Sequence, residues 1–393
     1  MEIQTDHDLI NYFAKTRNLR KNTKRSYNIY IKQYSNYHNK TMIELIQEAE
    51  QEEEQGIRWK HRTLRKRLLE FRAYLYDNYA YSSAKSRFSK ILTVYKHFEI
   101  EIHSLPKIST INVEKSHMGF KDLPDREIIK KALKISEPVA RAIFLYMSSS
   151  GSARAETRSL TIQDFIDATN NEFVSYHQSN DIYEVINELK EHDDIVPIFH
   201  LKRQKTNKYY YTFCTPEAVN EIIAYLSSRT TKMKPDDPLF DVGFTKFNEC
   251  FQKANDRLGL GKLENGKRRF TSHMLRKFHS TTLWNEKVSK EVVDALQGRG
   301  KDQTHASYFY ENPMKLREIY IENMQHICIN WDITNVDFKS PEYLKLEKQY
   351  NEKESQVEDM EKRLSKVERL FDNVNSMSDD EILNLFAKKE RGE

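Results

Sequence analysis

Apolar side chains return every three or four positions through most of this chain, a period that commits those stretches to helices burying one face. Leu64, Leu68, Phe71 and Leu75 step by four, three and four, and Ala84, Phe88, Ile91, Tyr95 and Phe98 by four, three, four and three. Only 10 Gly and 9 Pro interrupt 393 residues, so little in the composition opposes helix. Two further helices are expected near 22–37 and 41–53, completing a small bundle. Ser82 or Ser83 should cap the helix that follows an Asp77-Asn78 turn. The period lapses between 166 and 214, where FVSYH (173–177), IVPIFHLK (195–202) and YYYTFC (209–214) are short β-branched or aromatic runs. The expected fold class is therefore mainly α with a small antiparallel β-sheet.

A chain of this length exceeds what one hydrophobic core usually organises. The sequence divides into a helical domain over 1–105, a linker over 106–121 around Pro106, a second domain over 122–331 and a tail over 332–393. DLPDREIIKKAL opens the second domain, with Asp122 or Asp125 as cap and Pro124 in the first turn. Thr215-Pro216-Glu217 restarts helix after the strands, with Thr215 as cap. In the tail, Val357, Met360, Leu364, Val367, Phe371 and Val374 alternate steps of three and four with charged flanks. That pattern predicts a coiled-coil-like helix and self-association; a lone amphipathic helix folding back is the alternative.

Charge is distributed unevenly. Residues 1–107 hold 20 Lys/Arg against 13 Asp/Glu, and residues 332–393 hold 11 against 16. Three basic groups, Arg17/Arg20/Lys21/Lys24/Arg25, Arg58/Arg62/Arg65 and Lys85/Arg87/Lys90, point to double-stranded DNA as partner. Tyr27, Tyr30, Tyr34 and Tyr37 follow the first group at helical spacing and read as core packing. Cys214, Cys250 and Cys328 are odd in number and far apart, which fits neither a disulfide framework nor a zinc site. No apolar run approaches the roughly 20 residues of a membrane span, and the N-terminus lacks the order of a signal peptide. The expectation is a cytoplasmic chain with no membrane partner.

The residues that bear chemistry come in a fixed order. SSSGSARAETRSLTIQDF carries Arg154, the polar turn RQKTNK carries Lys205, SHMLRKFH carries His273 and Arg276, LQGRG carries Arg299, and Tyr308 stands nine positions on. One His-x-x-Arg pair says little by itself, since His200 and Arg203 repeat it. In this order and spacing, however, the chain resembles the tyrosine recombinases of the phage-integrase family. Glu156, Leu160, Asp164 and Phe165 keep the internal spacing of the family's first box. Arg154 stands two residues before Glu156 rather than three, which is similar to archaeal and archaeal-virus integrases; Arg158 is the alternative. Arg299 occupies the position of the family's histidine or tryptophan.

The resemblance implies a helical core-binding domain, a mixed and mainly helical catalytic domain, and a site-specific recombinase that cuts and rejoins DNA through a 3′-phosphotyrosyl intermediate in a tetramer on paired sites. It implies Arg154, Lys205, His273, Arg276 and Arg299 around a Tyr308 nucleophile. Lys202 and Lys208 are alternatives to Lys205, and Tyr310 to Tyr308, whereas His279 and His305 are bystanders.

These residue types suit the reaction on physical grounds. Displacement at phosphorus loads negative charge onto the non-bridging oxygens, and arginines donate paired hydrogen bonds to them, each such donor worth about 3–4 kcal/mol at the transition state. A tyrosine, with a free pKa of about 10, needs cationic surroundings or a base in order to attack. A lysine can return a proton to the leaving 5′ oxygen. No cofactor, metal or nucleotide is called for. GKLENGK (261–267) has phosphate-loop spacing, but Arg268 replaces the Ser or Thr that such a loop needs and no strand precedes it. Two rival readings remain: a type IB topoisomerase, and a catalytically silent DNA-binding protein of the same fold.

Overall fold

The computed structural model describes residues 4–108, 119, 122–264, 266–299 and 312–330. The chain separates into two compact units, Met1–His117 and Met118–Glu393.

The first unit is built from α1 (Asp6–Thr16), α2 (Lys21–His38), α3 (Met42–Glu54), α4 (Thr63–Asn78) and α5 (Tyr81–His97). Thr5 and Thr41 start α1 and α3 with reciprocal capping boxes to Asp8 and Glu44. The predicted stripe Leu64, Leu68, Phe71 and Leu75 is buried in one core with Tyr27 and Tyr34.

Two local expectations for this unit fail. Helix α4 runs through Asn78, whose side chain bonds back to the Tyr74 carbonyl at 2.9 Å, so the Asp77-Asn78 turn is absent and the chain bends at Tyr79-Ala80 instead. Ser82 and Ser83 then fall inside the first turn of α5, whose cap Ala80 has no side-chain bond to offer.

The basic groups are partly internal. Arg62 is buried, donating to Glu53 at 2.6 Å and to the Ile57 carbonyl at 2.9 Å. Arg87 donates to Gln33 at 2.6 Å and lies over the rings of Tyr79 and Tyr30. Neither of these two side chains is exposed, whereas Arg17, Arg20 and Lys21 are.

In the second unit α6 (Arg126–Lys134) begins at Asp125, whose carboxylate accepts from Ile128 N at 2.7 Å. Pro124 therefore precedes the cap rather than entering the first turn. Asp122 ion-pairs with Arg269 at 3.0 Å. Helix α7 (Pro138–Ser150) is buried on nearly all sides, as its almost unbroken apolar sequence requires, and packs against α11 (Pro216–Ser227) and α13 (Ser272–Asn285). Around it lie α8 (Arg154–Ser159), α9 (Ile162–Thr169), α10 (Ile182–Leu189), α12 (Phe244–Arg257), α14 (Lys290–Leu296) and a last described helix, Pro313–Ile327. Thr215 and Pro216 take the expected cap and first positions of α11, although the Thr215 hydroxyl makes no capping bond.

The mainly α fold with one small antiparallel sheet is observed. Strands β1 (Ile198–Lys202) and β2 (Tyr209–Phe213) pair from Ile198 with Phe213 to Lys202 with Tyr209. The run 173–177 does not join them. The Asn171 side chain accepts from Phe173 N and Val174 N, folding the run into a turn held by one isolated bridge between Asn170 and Ser175. The tail series Val357 to Val374 lies outside the described residues. Among the described residues no helix is long and apolar enough to cross a membrane.

Candidate active site

Helix α7 ends at Gly151 in the left-handed region, φ +63°. A Cβ there would stand 2.6 Å from His279 Nδ1 and 2.8 Å from Gln297 Nε2, so conformation and space both demand glycine. The turn presents the Gly151 carbonyl to Arg276, whose Nη1 donates to it at 2.6 Å while Nη2 donates to the Gln297 carbonyl at 2.7 Å. The Gln297 side-chain amide donates back to the Arg276 carbonyl at 3.0 Å and stands 2.9 Å from His279 Nδ1. With the amide nitrogen as donor, that ring nitrogen is the acceptor and the imidazole is neutral. Burial, then the charges of Arg276 and Arg299, hold the pKa of His279 down to about 3.

Arg276 is 6% exposed, and burial followed by the charge of Arg203 lowers its pKa to about 10. It stays charged at neutral pH. Two of its five N–H groups serve the carbonyls, which leaves three for a ligand. His273, one turn earlier on α13, is exposed. The protein nevertheless displaces enough water around it, with Lys277, Arg276, Lys267 and Arg299 adding positive charge, to lower its pKa, so it is neutral near pH 7.

Arg154 begins α8 and is exposed. Its guanidinium lies 4.9 Å from the centre of the Phe244 ring, and Nη1 donates to Asn248 Oδ1 at 3.1 Å, both partners on α12. Arg158 shares the same ring at 5.2 Å. Arg154, and not Arg158, joins His273 and Arg276 in lining a cleft of about 750 Å³. Lys262, Lys267 and Arg268 line it too, and no Asp or Glu does among the described residues.

Lys205 sits at the tip of the turn between β1 and β2, exposed. The turn closes with Arg203 N donating to the Lys208 carbonyl at 2.8 Å, and Asn207 takes φ +58°. Arg203 anchors its base by donating through Nη1 to the carbonyls of Gln297 at 2.7 Å and Gly298 at 2.9 Å. Glu156 Oε1 accepts from Gln204 N at 3.2 Å, tying the same turn to α8. Lys205 is not among the residues lining the cleft. Lys202 lies instead over the Tyr209 ring at 5.4 Å.

Arg299 follows α14 and does not line the cleft either. Its Nη1 meets Asp294 Oδ1 at 3.2 Å and its N–H donates to the Asp294 carbonyl at 2.8 Å. Gly298, φ +57°, sets the path of that segment: a Cβ would fall 2.5 Å from the Tyr210 ring. Tyr308, Tyr310 and His305 lie outside the described residues.

The sequence reading passed over the supporting set. Gln297 served only as a spacer in LQGRG, Gly151 only as part of a serine run, and Arg203 only as half of a repeated pair. His279, set aside as a bystander, is the buried packing partner of Gly151 and Gln297.

The Gly261–Lys267 segment is no phosphate loop. Lys262 bridges to Arg268 in antiparallel fashion, and Arg268 forms a two-point ion pair with Asp256 at 2.9 Å on both arms. No helix starts at Lys267 to receive a nucleotide phosphate.

No family model and no curated relative matches the chain. Among solved structures it is similar to XerH site-specific recombinase bound to difH substrate, with 15% identity over 81% of this chain and 84% of that one and a TM-score of 0.47. It is also similar to lambda integrase bound to DNA, with 14% identity over 85% and 100% of the two chains and a TM-score of 0.46. A third likeness is to the Tn1549 transposon integrase in complex with transposon right end DNA, with 12% identity over 81% and 99% and a TM-score of 0.46. At such identities no residue role passes from those proteins to this chain.

Proposed function

We propose that this chain is a site-specific DNA recombinase of the integrase type, which cuts one strand through a 3′-phosphotyrosyl intermediate and rejoins it to a partner strand. The observation that carries the reading is the cleft, lined by no carboxylate among the described residues, in which Arg154, His273 and Arg276, far apart in sequence, come together. A phosphodiester is the natural occupant of a cleft whose charged lining, among the described residues, is cationic. Arg154 and Arg276 stabilise the added charge on the non-bridging oxygens. His273, neutral at working pH, accepts or returns the proton of the reacting hydroxyl.

Tyr308 is the nucleophile in this reading. Lys205, from the tip of a turn anchored by Arg203, protonates the leaving 5′ oxygen. Because the ester keeps the energy of the broken bond, religation needs no nucleotide. The N-terminal helical unit supplies further contacts to the DNA backbone, and residues 332–393 join copies of the chain into the assembly that pairs two sites. The position of Arg154 two residues before Glu156 supports the finer reading of an archaeal type of integrase.

The ion pair between Arg299 and Asp294 favours one second reading, a silent DNA-binding protein, because it directs the expected third donor to a carboxylate. The test is a nicked duplex carrying the attachment site. Wild-type chain should form a covalent adduct that survives denaturant and EDTA, and Tyr308→Phe should bind the duplex without forming it. Adduct in Tyr308→Phe would move the role to Tyr310, and binding without any wild-type adduct would leave the silent reading.

A further inference from the structure

The sequence holds a second His-x-x-Arg pair, and the fold separates its members. On the extended chain of β1 and its turn, a spacing of three sends His200 and Arg203 to opposite faces, whereas on α13 it keeps His273 and Arg276 on one. His200 is exposed and stacks on Tyr211, with ring centres 4.5 Å apart. Arg203 points to the end of α14, where its Nη1 reaches two carbonyls at once, Gln297 at 2.7 Å and Gly298 at 2.9 Å. The Gln297 carbonyl also accepts from Arg276 Nη2 at 2.7 Å, so the arginine of the turn and an arginine of the cleft share one oxygen.

Arg203 also organises the turn through its backbone. Its N–H donates to the Lys208 carbonyl at 2.8 Å, and its own carbonyl accepts from Asn207 N at 2.9 Å and Thr206 N at 3.3 Å. Lys205 therefore sits in a loop whose closing residue is the one moored to the end of α14. Every residue from Gln204 to Tyr209 is exposed, so the direction of the tip is set at its base. Two further ties converge there. Glu156, 4% exposed, accepts from Gln204 N at 3.2 Å, and a Cβ on Gly298 would fall 2.5 Å from the Tyr210 ring. The charges of Glu156, Arg276 and Arg203 all reach the Tyr210 hydroxyl, which places α8, α13 and the turn around one buried ring.

We infer that Arg203 is a positioning residue for Lys205: it holds the base of the turn against the end of α14, so that the lysine delivers its proton from a fixed direction beside Arg276. This rests on the recombinase reading, in which Lys205 serves the leaving oxygen. In that step the Tyr308 oxygen bonds to phosphorus and its proton passes to His273. The bond from phosphorus to the 5′ oxygen breaks, and that oxygen keeps the electron pair and takes a proton from the Lys205 ammonium, which becomes an amine. Arg203 does not line the cleft, so its part is to decide where the donor stands. A general acid works only within hydrogen-bond reach, and a misplacement of about 1 Å costs roughly a hundredfold. The carbonyl shared with Arg276 sets the proton donor and the phosphate-binding arginine in one frame.

The experiment uses the full chain and a nicked duplex selected from a random-sequence pool by trapping of the covalent adduct. The duplex is made in two forms, one with sulfur in place of the bridging 5′ oxygen. A thiolate leaves without a proton, since a thiol has a pKa of about 8.5 against about 15.7 for water. Arg203→Met should slow cleavage of the oxygen duplex by roughly ten- to a hundredfold and cleave the sulfur duplex at the wild-type rate, as Lys205→Ala does. Arg203→Met/Lys205→Ala should be no slower than Lys205→Ala alone, because a residue that acts through another has nothing left to lose. Melting curves check the fold; if Arg203→Met melts early, Arg203→Lys, which keeps the charge and gives up the planar fork, is read on the same two duplexes for the same contrast. Equal slowing on both duplexes, or no slowing on either, overturns the inference and leaves the recombinase reading intact. Lys205→Ala that cleaves the oxygen duplex at the wild-type rate overturns it as well, by removing the acid that Arg203 serves. A wild-type chain that traps no duplex overturns both readings.

Discussion

Arg276 and Gln297 hold each other reciprocally: the guanidinium donates to the Gln297 carbonyl at 2.7 Å, and the Gln297 amide donates to the Arg276 carbonyl at 3.0 Å. The pair joins the start of α13 to the end of α14 and fixes the plane in which Arg276 offers its remaining N–H groups. Both side chains are buried, so the bonds are made in surroundings where an unmet donor is costly. Gln297→Leu keeps the volume and removes the amide. It should lower unfolding free energy by about 1–3 kcal/mol and slow adduct formation more than it weakens DNA binding. Urea unfolding and single-turnover cleavage on a nicked duplex measure the two effects; a variant with wild-type cleavage would mean that Arg276 needs no such brace.

Gly151 offers a sharper test of the same frame. Gly151→Ala puts a methyl group 2.6 Å from His279 Nδ1 on backbone at φ +63°. The left-handed conformation alone costs a non-glycine residue about 1–3 kcal/mol, and the clash adds to it. Thermal unfolding should show a marked loss of stability. Substituting Gly56, whose Cβ would meet nothing within 4 Å, isolates the conformational part.

Acid should weaken the second unit through His279. Its folded pKa is about 3 because burial, then Arg276 and Arg299, oppose the charged form. The unfolded chain takes up a proton below about pH 6.5, which the folded chain refuses until about pH 3. The stabilisation is therefore complete above about pH 6.5 and is lost as pH falls through that window. His38, held down to about 4 by burial and then Arg67, acts with the same sign in the N-terminal unit. Urea unfolding at stepped pH should show stability falling below about pH 6.5, with a shallower fall in His279→Leu. Equal slopes in the two proteins would show that the imidazole is not held neutral.

Helices and sheet were legible because their signals are local. The stripe Leu64 to Leu75 follows from a repeat visible within a dozen residues, and the runs 195–202 and 209–214, which contain the two strands, from their β-branched and aromatic composition. What failed was also local but competing: Asn78 bonding its own helix, Asn171 drawing Phe173 and Val174 into a turn. The coming together of Arg154, His273 and Arg276 was legible only through the order of the boxes. The partners of those residues were not, because a glutamine that braces an arginine or a phenylalanine that seats one has no spacing of its own. Gly151 and Gln297 acquire meaning only when α7, α13 and α14 meet.

Arg299 stands outside the cleft lining, paired with Asp294. Its ion pair with Asp294 has both side chains partly open to water, so the pair is weak and a bound phosphate, carrying its own charge, can compete for the guanidinium. Arg299 also lies close enough to His273 and Arg276 for its charge to lower the pKa of each, which puts it within reach of the same field. If the arginine turns to the phosphate in the bound state, Arg299→Ala should slow cleavage by roughly a hundredfold or more, the usual cost of a transition-state donor. Arg299→His should recover part of that rate, chiefly below about pH 7, where a free imidazole gains charge. Asp294→Asn separates the two roles of the pair: it releases the guanidinium, and cleavage should hold or rise. Single-turnover rates of the three variants on one nicked duplex decide the matter. An alanine variant at the wild-type rate would leave Arg299 a surface partner of Asp294 and strengthen the silent reading.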